Sequence, residues 1–453
     1  MIDLLIRNGS VVTEDSFIAA DIAIEGGVIV EMGYGLSLAA RNTIDVAGHH
    51  LFPGVIDSHV HFNEPGRTDW EGVATGSAAL AAGGGTCFFD MPLNSTPPVL
   101  DGETFDRKAE AAAAGSITDF ALWGGLTPSN LDCLEELVER GVIGFKAFMS
   151  SSGIDDFRAA DDYTLYRGMQ IAAKLKLPVA VHAENDAICS ALAAEAIAAG
   201  RVTMADYLAS RPVVAEVEAI RRAISFAQDT GCALHVVHVS SIEGCRAIVE
   251  GRRLIQHCCD MPVDITCETG PHYLTFTADD AVRLGARAKC APPLRDASNR
   301  DALIDQVCRG GIDMIASDHS PAPQSLKIGD DFFKIWGGIA GVQSTLPALL
   351  SLDHGPPPSR IAALTAGNVA RRFGIGGKGV IAVGMDADLA IVDLGGEFCL
   401  EREDLLDRHK LSPYVGRTFR GVVKHTIRRG EVIHANGRIV AKSRGCLIRP
   451  LLS

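Results

Sequence analysis

Several things this sequence lacks narrow what it can be. Its twelve cysteines include no Cys-x-x-Cys pair, so neither a zinc ribbon nor a thioredoxin-type redox motif is encoded. Cys258 and Cys259 are adjacent and imply nothing further, and free, mostly buried thiols in a reducing compartment are the expectation. Basic residues are outnumbered: the formal net charge is -14, which argues against sequence-independent binding of nucleic acid. No apolar run is long enough to span a bilayer, and Met1-Ile2-Asp3-Leu4-Leu5-Ile6-Arg7 has no basic region followed by a long apolar core. No membrane partner is therefore expected, and a cytoplasmic location is the default. What is present, 47% hydrophobic and 22% charged residues over 453 positions, is enough for a large core.

Both ends read as β structure. Apolar and polar residues alternate around glycine turns in Asp21-Ile22-Ala23-Ile24-Glu25-Gly26-Gly27-Val28-Ile29-Val30, and again in Asp388–Asp393 and Val423–Ile433. Neither end has enough strands to bury a two-sided core, so residues 1–50 and 377–453 are expected to pair into one β-sandwich. Between them, over 51–376, short apolar runs alternate with longer amphipathic stretches, as repeated βα units do. Strands are expected near 51–57, 85–90, 117–123, 142–148, 178–182, 233–239, 263–267 and 312–317, and eight of them suggest an α/β fold of the (β/α)8 TIM-barrel type. Helices are expected from a Ser129 cap through Leu131, Leu134, Leu137 and Val138 to Gly141, and from Val214 to Gln228. Gly83-Gly84-Gly85 follows a helix and precedes a strand, which suits a tight turn and not a phosphate loop. Pro356-Pro357-Pro358 reads as a loop between helices.

In such barrels chemistry sits at the carboxyl ends of the strands. The first strand ends in His59-Val60-His61, whose side chains share a face because successive strand residues alternate. Lys146 lies inside an apolar strand, His182 and His238 end the fifth and sixth, and Asp318 ends the eighth. Taken singly, each has a structural reading: a snorkelling lysine, packed core histidines, a helix-capping aspartate. Together they suit a pair of divalent ions, zinc first, with cobalt, manganese or iron as alternatives. A buried lysine loses its proton readily, and the free amine can add carbon dioxide to give a carbamate able to bridge two ions. One ion would take His59, His61 and Asp318, the other His182 and His238, with carboxylated Lys146 between them. A hydroxide bridging two such ions attacks a carbonyl at neutral pH, and Asp318 would shuttle its proton to a leaving nitrogen. His235, three residues from His238, should face the other way and be structural.

The stretches Pro53-Gly54-Val55-Ile56-Asp57-Ser58-His59-Val60-His61, Glu64-Pro65-Gly66-Arg67, Gly144-Phe145-Lys146, His238-Val239-Ser240-Ser241, Ser317-Asp318-His319-Ser320 and Gly384-Met385-Asp386-Ala387-Asp388-Leu389 resemble the cyclic amidohydrolases of the amidohydrolase superfamily. The resemblance covers nearly the whole chain and implies the same six ligands, a small cyclic ureide as substrate, and often a homotetramer. Dihydroorotases usually carry an arginine where this chain has Asn63, and hydantoinases and dihydropyrimidinases a tyrosine where it has Ser151. Met91–Asn94, Trp336–Gln343 and His409–Gly416 look instead like segments of the allantoinase branch, which implies opening of a hydantoin ring that bears a ureido arm. By the same resemblance Asn94, Ala291, Ser317, Gly337 and Gly338 would contact substrate, Ala291 standing where relatives often have serine. Two rival readings remain: hydrolysis of another hydantoin or dihydropyrimidine, and a non-catalytic assembly protein on the same fold, like the collapsin response mediator proteins.

Overall fold

Alternating apolar residues at the two chain ends form strands that find one another. Ile2–Val12, Phe17–Glu25, Val28–Gly33, Ala40–Asp45 and His50–Pro53 from the first part join Leu389–Cys399, Thr418–Arg428, Glu431–Ala435 and Arg438–Ile439 in one nine-stranded sheet. The computed structural model describes residues 1–13, 16–258 and 263–451; Cys259 lies outside them, as does the side chain of Cys258. The weld between the ends is the antiparallel pairing of His50–Pro53 with Leu389–Val392. In place of two separate sheets of a sandwich, these strands are hydrogen-bonded as one forked sheet, because Ile2–Val12 pairs on one side with Phe17–Glu25 and on the other first with Ala40–Asp45 and then with His50–Pro53. Leu4, Ile6, Ile22, Ile24, Leu389, Ile391 and Ile427 form its core.

The joint between sheet and barrel falls at Gly54, so the expected first strand over 51–57 divides in two. Gly54 donates to Asp388 O, and a Cβ there would lie 2.3 Å from the Thr86 side chain, which only glycine avoids. The barrel strands are β1 (Val55–Val60), β2 (Gly85–Asp90), β3 (Asp119–Leu122), β4 (Phe145–Phe148), β5 (Val179–His182), β6 (Leu234–Val236), β7 (Ile265–Thr269) and β8 (Met314–Ile315). All pair in parallel, β1 to β3 in one sheet and β4 to β8 in another. Both faces of β1, β2, β3 and β5 are buried, which is why they read as apolar runs without alternation. A short strand, Gly124–Gly125, adds to the second sheet beside β4; Ile143 N–H to Leu122 O joins the two sheets at one seam, and His61 N–H to His319 O lies at the other.

Helix Val213–Thr230 buries Ile220, Ile224 and Ala227 as its spacing predicts, whereas the helix expected from Ser129 begins only at Leu134. Residues 127–133 are diverted into a turn in which the Asn130 side chain accepts from Thr127 N–H and donates to Leu100 O and Gly125 O. Gly83 ends helix Val73–Ala82, and Pro358 opens helix Pro358–Ala362 instead of lying wholly in a loop. The carboxyl-terminal residues leave the sheet: Gly445, Cys446 and Ile448 bond to Ser116 and Phe120 beside β3, outside the expected sandwich.

Candidate metal centre

His59 is the last but one residue of β1 and His61 follows the strand, and their rings converge as the strand rule requires. On each ring Nδ1 is occupied, by Glu268 Oε1 at 2.7 Å for His59 and by Leu93 O at 2.6 Å for His61. Both Nε2 atoms are thereby left to face Asp318 Oδ1, at 3.3 and 3.5 Å. Burial alone would raise the Asp318 carboxyl, but His59 and His61 hold it well below the usual carboxylate range. These three residues form a compact set of metal donors.

Facing them are the other three candidates. His182 gives Nε2 to Glu184 Oε2 at 2.8 Å and turns Nδ1 toward His238 Nε2, 3.1 Å away. His238 has left the strand, with φ 38°, and its Nδ1 is buried without a partner. Lys146 is fully buried; its Nζ has no hydrogen-bond partner and stands 4.7 Å from the Phe148 ring centroid. Burial pushes this amine down to about 7 against the pull of Asp318 and Glu268, and burial likewise lowers His59, His182 and His238. Three imidazoles with one nitrogen held by an oxygen, a fourth whose Nδ1 is unpartnered, an orphaned lysine and an ionised carboxylate together fit a divalent metal centre.

Two sequence expectations need correction here. Strand alternation would turn His235 away from the site, but β6 ends at Val236, so alternation does not reach His238. His235 is structural in the sense that it faces no other candidate ligand, yet its Nε2 meets Glu268 Oε2 at 3.2 Å, one residue removed from His59. Ser317 lies behind the cavity wall: its N–H donates to Asp57 Oδ1 and its Oγ accepts from His319 N–H. Asn94, Ala291, Gly337 and Gly338 do line a cavity of about 440 Å³ shared with His59, His61, His182, His238 and Asp318. Ser151 lines it too, where a tyrosine would fill space.

Gly338 offers less than expected. Its N–H donates to Lys289 O and its carbonyl accepts from Lys327 Nζ, both at 2.7 Å, so Gly337 keeps the unspent backbone groups. Gly338 also has φ 106°, and a Cβ there would lie 2.1 Å from Ser320 O. The residue that sequence reasoning missed is Glu268, which accepts from Ser58 Oγ at 2.8 Å and holds His59 and His235. It lies one residue before the end of β7, so the strand-end rule applied to that strand would have found it.

A second carboxylate cluster, Asp119, Asp386 and Asp388, surrounds Lys378 Nζ and is an ion-paired core.

The sequence pattern of the amidohydrolase family matches residues 50–433. The chain belongs to the amidohydrolase family. This amidohydrolase is 54% identical to an allantoinase of Rubrobacter xylanophilus, over 99% of this chain and 98% of that one. It is 55% identical to an allantoinase of Solibacter usitatus, over 99% and 97%. Among solved structures, the L-hydantoinase (dihydropyrimidinase) from Arthrobacter aurescens superposes with a TM-score of 0.94 at 34% identity, covering 99% of this chain and 100% of that one. As an amidohydrolase the protein is a metal-dependent hydrolase with a divalent metal centre, and its candidate ligands are the residues just described.

Proposed function

We propose that the protein hydrolyses the ring amide of allantoin to give allantoate, using two divalent ions, zinc first, held by His59, His61, His182, His238, Asp318 and a carbamate on Lys146. What carries the reading is near-full-length identity to allantoinases combined with a cavity whose wall brings together five of the six candidate ligands, Lys146 lying buried beside them. Bound there, the ions supply Lewis acidity toward the scissile carbonyl and a water of lowered pKa. Everything else falls to the chain. Asp318, with a side chain 14% exposed to the cavity, takes the proton of the attacking water and returns it to the ring nitrogen as the C–N bond breaks. Gly337, Ala291 and Asn94 offer groups to the ring's carbonyls and N–H groups, and Asn94 is itself steadied by Arg67 donating to its carbonyl at 2.6 Å.

The resemblance in shape to an L-hydantoinase supports a second reading, in which bare or alkyl hydantoins are preferred. The deciding measurement is kcat/KM for allantoin, hydantoin, dihydrouracil and dihydroorotate under one metal condition. Allantoin should lead; faster turnover of dihydroorotate or dihydrouracil would overturn the substrate assignment and leave the metal centre standing. A cytoplasmic location, supported by the ten described cysteines all being free, and a homotetrameric assembly complete the proposal.

A further inference from the structure

One wall of the cavity carries a buried lysine. Lys289 is 6% exposed, lines the cavity two residues before Ala291, and forms no ion pair among the described residues. Its ammonium donates to Ile335 O and stands 4.5 Å over the Tyr207 ring, which is fixed in turn by Tyr207 Oη donating to Cys290 O at 3.0 Å. Burial first, then Arg211, push it down to about 8 against the pull of Asp331, so it remains largely protonated at neutral pH. Of the other cations lining the cavity, Arg211 is matched by Glu184 and Lys334 by Asp331. A buried ammonium that spends one donor on a carbonyl and rests on a ring face still has a donor to give, and leaving it unmet is costly.

We infer that Lys289 is a specificity-determining residue that receives an oxygen acceptor at the end of the substituent on the substrate ring. The inference rests on the reading of the cavity as a cyclic-ureide site and adds the chemistry of the arm. The backbone connects the two functions: Lys289 O accepts from Gly338 N–H, so the lysine is anchored to the segment that presents Gly337 to the ring. A ureido carbonyl supplies such an acceptor, and so does a carboxylate.

The test compares kcat/KM for allantoin, for 5-carboxymethylhydantoin and for bare hydantoin in the metal-loaded wild type, Lys289→Met and Lys289→Gln. In the wild type the arm-bearing rings lead, and in Lys289→Met the ratio of arm-bearing to bare ring should fall about 10–100-fold, chiefly through KM. Lys289→Gln keeps a neutral donor, so it should recover part of the ratio for the ureido arm and none for the carboxylate arm. That difference tells the two acceptors apart, and the same variant carries the comparison if the methionine variant does not fold. Ratios equal to those of the wild type in both variants overturn the inference. Failure of the wild type on allantoin would instead sink the proposed substrate, while the ratio for the carboxymethyl arm still reads the role of Lys289.

Discussion

At the scale of single residues, the centre depends on side chains that have no alternative partner. Lys146 Nζ is buried with nothing to bond, and in the proposed centre its removal takes away the carbamate that would bridge the two ions. Lys146→Ala should lose metal and activity together, and acetate or propionate added to the loaded variant should restore part of both. Full activity and full metal content in Lys146→Ala would contradict the bridge. Asp318→Asn keeps the shape and one oxygen donor but cannot accept the proton; kcat should fall by roughly 10²–10⁴-fold or more while substrate still binds. A change confined to KM would remove Asp318 from the proton path. Glu268 makes a different kind of contribution, because it touches His59 and not the substrate. Glu268→Gln should weaken metal binding by about 10–100-fold, read by titration of the metal-free protein, since the amide no longer fixes the imidazole as an acceptor would. Unchanged metal affinity would reduce Glu268 to packing.

At the scale of elements, the barrel and the terminal sheet are tied by charge as well as by strand pairing. Lys378 Nζ lies 2.8 Å from Asp119 at the start of β3, 2.9 Å from Asp386, and 2.5 Å from Asp388, which precedes strand Leu389–Cys399. Two of these carboxylates and the ammonium are almost completely buried, so the group is tolerated only while it stays paired. Lys378→Met should destabilise the protein by about 3–5 kcal/mol, seen as a lowered Tm in calorimetry. A Tm equal to that of the wild type would show that the carboxylates find other partners. The helices were legible to different degrees for a related reason. Val213–Thr230 is long and regular, so its apolar stripe announces it, but the turn at 127–133 is set by Asn130 reaching Leu100 across 30 residues, a contact that spacing does not record.

At the scale of the whole molecule, metal binding and folding should be linked. Donors drawn from β1, β5 and the segments that follow β1, β6 and β8 meet only when the barrel is assembled, so ions bound there stabilise the folded state by mass action. Removing the metal with a chelator should lower Tm, and re-adding zinc should restore it; a Tm indifferent to chelation would place the donors outside any tight site. Light scattering should report four chains of 47.9 kDa if the proposed tetramer is correct.

What the sequence determined by itself is whatever repeats along one element. His59 and His61 share a face because a strand alternates, buried parallel strands appear as short apolar runs, and the ends of those runs mark where polar side chains gather. Those rules were enough to name all six candidate ligands and the eight strands. Only the tertiary structure decided what meets across elements: Glu268 on His59, 209 residues apart; Lys289 on the cavity wall without an ion pair; Ser317 turned away behind it; Gly338 bonded on both sides while Gly337 keeps its backbone groups. Local spacing sets the direction a side chain takes from its own backbone. The partner it finds there depends on how separate strands and loops are brought together by packing, and that geometry has no period in the sequence to read.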